Sequence, residues 1–482
     1  MPRVVVGPFN RVEGDLEVSL DLEGAVVRGA WVSSPLYRGF EQLLVGKAAL
    51  DALVLVPRVC GICTVSQSAA AARALAAAAG VTAPANGRLA ENLLLACENL
   101  ADHLTHFYLF FMPDFARAAY EGRRWWPRAA ERFRAVHGTA GGELLAARSS
   151  FLGLMGILAG RWPHTLSLQP GGTSRAATPA EKIQLHILLR AFRAFLEGTL
   201  LGDRLERFAA LRSARELAAW AGARAGRSDL AAFLELADDL GLDRLGRAGS
   251  LFMSYGAYAD AIGALFPRGV VDAAAPGRER RPLDGAAIRE EVGHAFLAGE
   301  ARHPSEGETA PAPDKPGAYS WCKAPRLGGE VVEVGALARQ VVAGHPLAHD
   351  LLSNGSGNVV ARVVARALEL AIVVPHMERW VRELEPGAPF CVPAAIPPHG
   401  DAAGFVEAAR GSLGHWVQYR DGRIARYQIV APTTWNFSPR DDRGVPGALE
   451  RALVGTPADG PAAPAIQHVV RSFDPCLVCT VH

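Results

Sequence analysis

Long apolar runs are missing from this chain. The longest stretches, such as Ala52–Pro57 and Leu104–Pro113, read as too short or too interrupted to cross ~30 Å of hydrocarbon, so no direct membrane span is expected. The opening MPRVVVGPFNRVEG lacks the basic region and apolar stretch of an export signal, which places the chain in the cytoplasm by expectation. No charge of one sign prevails: 50 Lys+Arg stand against 49 Asp+Glu. No basic block stands out, although Arg123–Arg134 holds several arginines, and nucleic acid is therefore not an expected partner. Internal repeats and glycine-rich nucleotide loops are absent. Charge is sparse at 21%, low for a fully wetted surface, which hints at a face covered by a partner. Cysteine is scarce too, seven in 482 residues. With half the residues hydrophobic, a chain this long can build its own core and has no use for a disulfide scaffold.

The pattern along the chain predicts a mainly α (α+β) fold, a buried bundle of long helices with small sheets near both ends. One large domain, 1–482, is expected. It has an N-terminal β region with the first cysteine pair (1–65), a helical body with long loops (66–407) and a C-terminal β region with the second pair (408–482). Arg3–Val32 reads as strands: Glu13–Leu20 alternates polar and apolar side chains, and Gly24–Val32 is rich in valine. Ser66–Ala79 is alanine-rich and reads as a helix. Asn86–Phe111 reads as a second, apolar on several faces and so buried, with Asn86 as its cap. Ala180–Leu200, Asp203–Ala223 and Ala361–Leu384 continue the helical character, the last with a kink or break at Pro375. Gly160–Ser174, Pro267–Gly277, Pro304–Gly317 and Pro386–Asp401 read as loops long enough to be functional. His415–Tyr419 and Arg423–Val430 read as strands joined by an Asp421-Gly422 turn.

Four cysteines form two CxxC pairs, Cys60/Cys63 and Cys476/Cys479, 416 positions apart. Two intervening residues let both sulfurs of a pair face one ion, and Gly61 and Pro475 suit such turns. Four thiolates select a soft or borderline metal. Structural zinc usually gathers its ligands within a short module, whereas here the fold must bring the two ends together. Spacing alone leaves structural zinc, an iron–sulfur cluster and a reactive metal centre open. Cys97 reads as a small buried hydrophobe, Cys391 has no sequence neighbour to pair with, and Cys322 is ambiguous.

Further strings occur in order along the chain: Arg11-Val12-Glu13-Gly14, Arg38-Gly39-Phe40-Glu41, Arg58–Cys63, His106-Phe107-Tyr108, Lys323-Ala324-Pro325-Arg326, Glu333–Arg339 (EVGALAR), Ala431–Asp441 (APTTWNFSPRD) and Asp474–His482 (DPCLVCTVH). With both cysteine pairs, the set resembles the large subunit of nickel–iron hydrogenases end to end. The resemblance implies a centre in which all four cysteines bind nickel, Cys63 and Cys479 also bridge to iron, and Cys60 and Cys476 are terminal. It implies carbon monoxide and cyanide on the iron. Cys476 would be the base that takes the proton of H2, and Glu13 the gate that passes it on; without the resemblance, Glu13 reads as a surface carboxylate beside Arg11. Arg326 would stand above the metals, with Asp102 and Asp474 as its carboxylates and Pro325 shaping the same wall. Glu41 and His482 would hold magnesium or a similar hard cation, although an ordinary paired acid and a terminal anchor read equally simply.

One position departs from the family. Many catalytic members carry histidine four residues after the second cysteine of the first pair, where this chain has Gln67, which hydrogen-bonds sulfur but carries no proton at neutral pH. That departure, the run Ala101–Asp114 and a sequence that stops at His482 resemble the regulatory, hydrogen-sensing members. A low-turnover sensor signalling through a histidine kinase is therefore expected. The alternatives are an energy-conserving uptake or bidirectional hydrogenase, a metal-free hydrogenase-derived scaffold subunit, and a structural zinc protein. No further cysteine cluster is present for electron transfer, which implies an iron–sulfur small subunit as obligate partner, and the pair could associate as a dimer of heterodimers.

Overall fold

Alternation of polar and apolar side chains makes the first residues a sheet. In the computed structural model, which describes residues 3–458 and 463–480, β1 (Arg3–Val6), β2 (Glu17–Glu23) and β3 (Val26–Ser33) pair antiparallel in the order β1-β2-β3. Val18 and Leu20 of β2 and Val27, Ala30 and Val32 of β3 are buried, while the residues between them stay wetter. The first cysteine pair follows and runs straight into helix α1 (Thr64–Ala79), which ends where Gly80 adopts φ 64°, a left-handed stop. The alanines of α1 have a packing reason. The strand Gly400–Ala408 lies so close that a Cβ on Gly404 would fall 1.9 Å from the Ala70 carbonyl oxygen.

Helix α2 (Ala85–Thr105) continues through a wider π-type turn at His106–Phe111. It is buried along most of its length, as its all-round apolar character predicts. Asn86 is not its cap: the preceding residue is Pro84, and the Asn86 side chain lies inside the first turn. There its amide nitrogen donates to the Glu385 and Ala388 carbonyls (2.8 and 3.3 Å) and its oxygen accepts from the Glu385 N–H (3.0 Å), tying down a distant loop. Helix α3 (Thr139–Ala159) packs beside α2, and α4 (Pro179–Phe195) packs against α3. Contrary to the sequence expectation, α3 is long and apolar enough, by length and composition, to cross a membrane. Its glycines and serines break up the apolar run, yet its 18-residue window has a mean hydropathy of 1.3. The Asp203–Ala223 stretch is two short helices, Leu205–Ala209 and Ala214–Gly222.

Strands β4 (Ile288–Glu291) and β5 (Ala324–Leu327) form a two-stranded ribbon, and helices α5 (Ala336–Val342) and α6 (Val359–Glu383) follow. Helix α6 runs unbroken through Pro375, whose neighbours Val373, Val374 and Met377 are fully buried, so packing holds the turn that lacks an N–H. The C-terminal sheet has three strands rather than two: β6 (Gly400–Ala408), β7 (Gly411–Arg420) and β8 (Arg423–Val430) in that order. Gly269–Asp272 is likewise a short strand inside an expected loop. Helix α7 (Pro464–Ser472) then delivers the second cysteine pair. One buried apolar cluster joins Phe9 at one end of the chain to Cys479 at the other. The architecture is the helix-dominated fold with small terminal sheets that the sequence predicts.

Candidate metal centre

The two cysteine pairs meet. Cys60 and Cys63 occupy the turn before α1, and the Ile62 N–H donates to the Cys60 sulfur at 3.4 Å. Cys476 and Cys479 lie on a tight turn, closed by the Cys479 N–H on the Cys476 carbonyl (3.1 Å) and anchored by the Cys476 N–H on Thr433 Oγ1 (3.2 Å). The sulfurs stand 3.4 Å apart for Cys60–Cys476, 3.3 Å for Cys63–Cys479 and 3.1 Å for Cys476–Cys479. All four residues are buried, and none is in a disulfide. Hydrogen bonds from Cys476, Cys479 and Cys63 hold Cys60 well below the ordinary thiol range, so one sulfur already carries charge that its neighbours share. Four soft donors converging in a dry pocket repel one another as thiolates unless a cation lies among them. The donor set fits a thiolate-bound transition-metal centre.

Glu13 lies against the second pair. Its N–H donates to the Pro475 carbonyl (3.3 Å), and its own carbonyl accepts from the Leu477 N–H (2.7 Å). Gly14 is required beside it: its φ is +81°, and a Cβ there would meet the Val478 nitrogen at 2.9 Å. Burial, then the nearby Cys60 thiolate, raise the Glu13 carboxyl above its ordinary value. Arg38 clasps both loops, donating to the Val59, Arg58 and Val478 carbonyls.

The arginine expected above the sulfurs is a different one. Arg326 is fully buried, but its Nε pairs with Asp441 (3.3 Å). Its other nitrogens donate to Pro325 O, Ser438 Oγ, Pro439 O and Val445 O. It has no contact with Asp102 or Asp474, and Pro325, on the same strand β5, faces Glu290 of β4. Its partners tie Arg326 to the loop that follows Phe437 and not to those carboxylates. Arg410, in the β6–β7 turn, takes the role. Its guanidinium reaches Asp102 (3.0 Å) and Asp474 (3.1 Å), and its Nε donates to the Asp474 carbonyl (2.9 Å). Burial raises the Asp102 carboxyl despite Arg410. Burial also works against Asp474, yet Arg410 holds that carboxyl below its usual range. Arg410 was legible in principle: it is a lone cation in the otherwise apolar run Phe405–Trp416, interrupted only by Glu407, Ser412 and His415.

Comparison with known proteins agrees with this geometry. The family profile described as "Nickel-dependent hydrogenase" matches residues 38–119 and 143–482. The periplasmic [NiFeSe] hydrogenase large subunit of Desulfomicrobium baculatum is 30% identical, covering 100% of this chain and 95% of that protein. The hydrogenase-2 large chain of Escherichia coli K12 is 27% identical, covering 100% and 97%. The reduced-state structure of the Ni-Fe-Se hydrogenase from D. vulgaris Hildenborough superposes with a TM-score of 0.84 at 30% identity, each chain covered in full. This chain belongs to the nickel-dependent hydrogenase family. It is an enzyme of the nickel–iron hydrogenase type, and two expectations are corrected. These relatives are named as periplasmic, numbered and uptake hydrogenases and not as sensors, so the likeness to the regulatory sensors, with its histidine kinase and signal transduction, does not hold. The cytoplasmic placement also falls, because the D. baculatum relative is named a periplasmic protein.

The hydrogenase centre also explains why Gln67 misled. Its amide nitrogen reaches the Cys63 sulfur at 3.9 Å, and its oxygen lies 2.8 Å from His415 Nε2. A buried imidazole, bonded in turn to the Tyr427 hydroxyl (2.8 Å), therefore stands one residue behind Cys63. Gln67 thus links the Cys63 sulfur to the His415 ring. Sequence reasoning missed Glu98 altogether. Its carboxylate accepts from the Val65 and Ser66 N–H groups (2.7 and 2.9 Å), the Ser66 hydroxyl and Trp162 Nε1, so it caps α1 directly behind Cys63. Burial raises its pKa to about 7. The signal was an acid directly after the apolar run Leu93–Cys97.

Glu41 is buried and accepts from the Ile429 N–H (2.8 Å), Lys323 Nζ (3.0 Å) and the Thr309 hydroxyl. Lys323 also lies 3.5 Å from Glu290, whose carboxyl burial raises to about 7. A side-chain ammonium thus already stands between two buried acids where a hard cation was expected. His482, the other expected ligand, lies outside the described residues. Cys97, Cys322 and Cys391 take no part in the sulfur cluster; the Cys97 thiol donates to the Phe151 carbonyl instead.

Proposed function

We propose that this chain is the catalytic large subunit of an energy-conserving hydrogenase that takes up H2, splits it heterolytically and sends the electrons to iron–sulfur clusters of a small subunit. The observation that carries this is the meeting of the two cysteine pairs, four buried sulfurs 3.1–3.4 Å apart between neighbours. The direction draws support from a relative named uptake hydrogenase large subunit, from Bradyrhizobium diazoefficiens, 28% identical over 100% of this chain and 95% of that one.

On this reading Cys60, Cys63, Cys476 and Cys479 would hold the nickel–iron centre, which would supply an acceptor for the two electrons of the H–H bond. The Cys476 sulfur takes the proton. Glu13, fixed through its backbone to Pro475 and Leu477, receives it, and burial and the nearby Cys60 sulfur raise its carboxyl above the ordinary value, which favours holding that proton. Arg410 keeps a fixed positive charge beside Cys60 and Cys476 because Asp102 and Asp474 hold its fork. The three remaining cysteines lie apart from the centre, so electrons leave through the partner's clusters.

The test is production of the chain with its small subunit, anaerobic purification, metal analysis and H2-dependent dye reduction. About one nickel and one iron per chain with H2 oxidation is the expected result. Zinc alone, or both metals bound with no H2 oxidation, defeats the reading.

A further inference from the structure

Below the Glu13 loop the surface opens into a cavity of ≈ 610 Å³. Arg11, Arg117, Arg134 and Arg471 line it, with Asn10 and Gln467 between them and no acidic residue on its wall among the described residues. The one carboxylate nearby, Asp114, is buried beneath and already committed: Arg11 and Arg471 pair with it, and His468 lies 3.6 Å away. Burial opposes its charge, yet His468 and Arg471 hold the carboxyl far below its usual range. Four guanidiniums therefore face the cavity against one carboxylate. Arg117 donates only to Gln467 Oε1 (3.2 Å), and Arg134 makes no ion pair among the described residues. Two planar forks stand ready for an oxyanion.

The rim carries a second mark. Val136, two residues after Arg134, is 96% exposed and holds φ 68°, with the His137 N–H on the Ala135 carbonyl (2.8 Å). A β-branched residue in a left-handed γ-turn is strained, and such strain persists where something outside the local chain makes use of it. A free inorganic anion gains nothing from an exposed valine, whereas a protein surface does. The walls of the cavity also lead straight to the centre: Arg11 stands two residues before Glu13, and Arg471 three before Asp474 and five before Cys476.

We propose that this cavity seats an acidic side chain of the iron–sulfur small subunit between Arg117 and Arg134, and that the same partner covers Val136. The proposal rests on the reading above, in which electrons leave through that subunit. It gives a use to Arg134, the last arginine of the Arg123–Arg134 run. It also sets the partner against the wall of the metal centre.

The experiment uses the co-produced heterodimer, with subunit affinity measured across a salt series. Arg117→Gln with Arg134→Gln weakens association at least about tenfold and flattens its salt dependence, while the double Lys variant keeps most of the affinity. Val136→Gly suits the backbone of the isolated chain and raises its Tm, yet weakens the heterodimer about fivefold. Inorganic phosphate, used as the probe, competes with the small subunit. Affinity and salt dependence unchanged in the double Gln variant overturn the proposal. So does phosphate that binds the assembled heterodimer without competing. A metal-loaded wild-type chain that purifies with no small subunit removes the partner reading itself, and the seat's occupant with it; a heterodimer indifferent to the substitutions removes only the seat.

Discussion

At the scale of single residues, the separation between Arg410 and Arg326 makes the sharpest prediction. Both are buried arginines, but only Arg410 is joined to Asp102 and Asp474 and lies beside the sulfurs. Lysine keeps the charge and loses the fork. Arg410→Lys therefore lowers H2 oxidation about 100-fold per metal-loaded site, the scale of one preorganised donor, with nickel and iron content kept. Arg326→Lys lowers the Tm and leaves the rate per loaded site within about twofold, because its partners are the Pro439–Val445 loop and Asp441. Equal kinetic losses in the two variants would return Arg326 to the centre. Glu13→Gln makes the companion case. Its backbone bridge to the second pair survives, so metals stay bound, and isotope exchange between D2 and water falls sharply; unchanged exchange removes Glu13 from the proton route. The sequence displayed the cysteines and Glu13 because their spacing and neighbours are specific. It marked Arg410 and Glu98 only as lone charges in or beside apolar runs; what they do depends on partners more than 60 residues away or on backbone groups, which no local pattern encodes.

At the scale of elements, one buried knot joins α5, α6 and the end of β6. Arg339 pairs with Glu369 through two hydrogen bonds of 2.9 Å and with Glu407 at 2.8 Å, all fully buried. Burial opposes the charge on Glu369, but the Arg339 guanidinium overrides it and brings the pKa from 4.5 down to about 2. A folded pKa below the unfolded one means that stability is fully present above about pH 5 and drains as pH falls toward 2. The shift is worth about 3 kcal/mol in all, of which about 1 kcal/mol is lost by pH 3.5. Glu369→Gln, which leaves Arg339 short of one charge, is less stable than wild type at pH 7, and the gap narrows as pH falls through this window. Urea unfolding at stepped pH measures it; a gap that stays constant from pH 7 to 3.5 would show that Glu369 is not ionised in the fold. Elements with strong periodicity, such as α1, α2 and β8, were legible in the sequence. The ones misjudged were decided by packing: α6 holds Pro375 inside a buried helix, Asn86 gives up a cap to bind the 385–388 loop, and β6 pairs with β7 despite its glycine and alanine content.

At the scale of the whole molecule, the centre is assembled from the two ends of the chain, and no segment holds it alone. The 416-residue separation already required this closure. What the sequence did not reveal was the physiological output, since a single departure at Gln67, which bridges Cys63 and His415, does not decide it. Closure has a thermodynamic consequence. A metal that binds the four sulfurs only when both pairs are in place stabilises both by the same amount, because it has no affinity for either half opened. Arg38 strengthens the coupling by holding the Arg58 and Val59 carbonyls of one loop and the Val478 carbonyl of the other. Hydrogen exchange on the metal-free and metal-loaded chain should therefore slow at 60–66 and at 474–480 together and by a similar factor. Regions such as α4, remote from the sulfurs, should change little. Cys479→Ser should reduce the protection at both ends, although the substitution touches only one. Protection that rises at the second pair alone would mean that the first pair is not a ligand, and the closed centre would be lost with it.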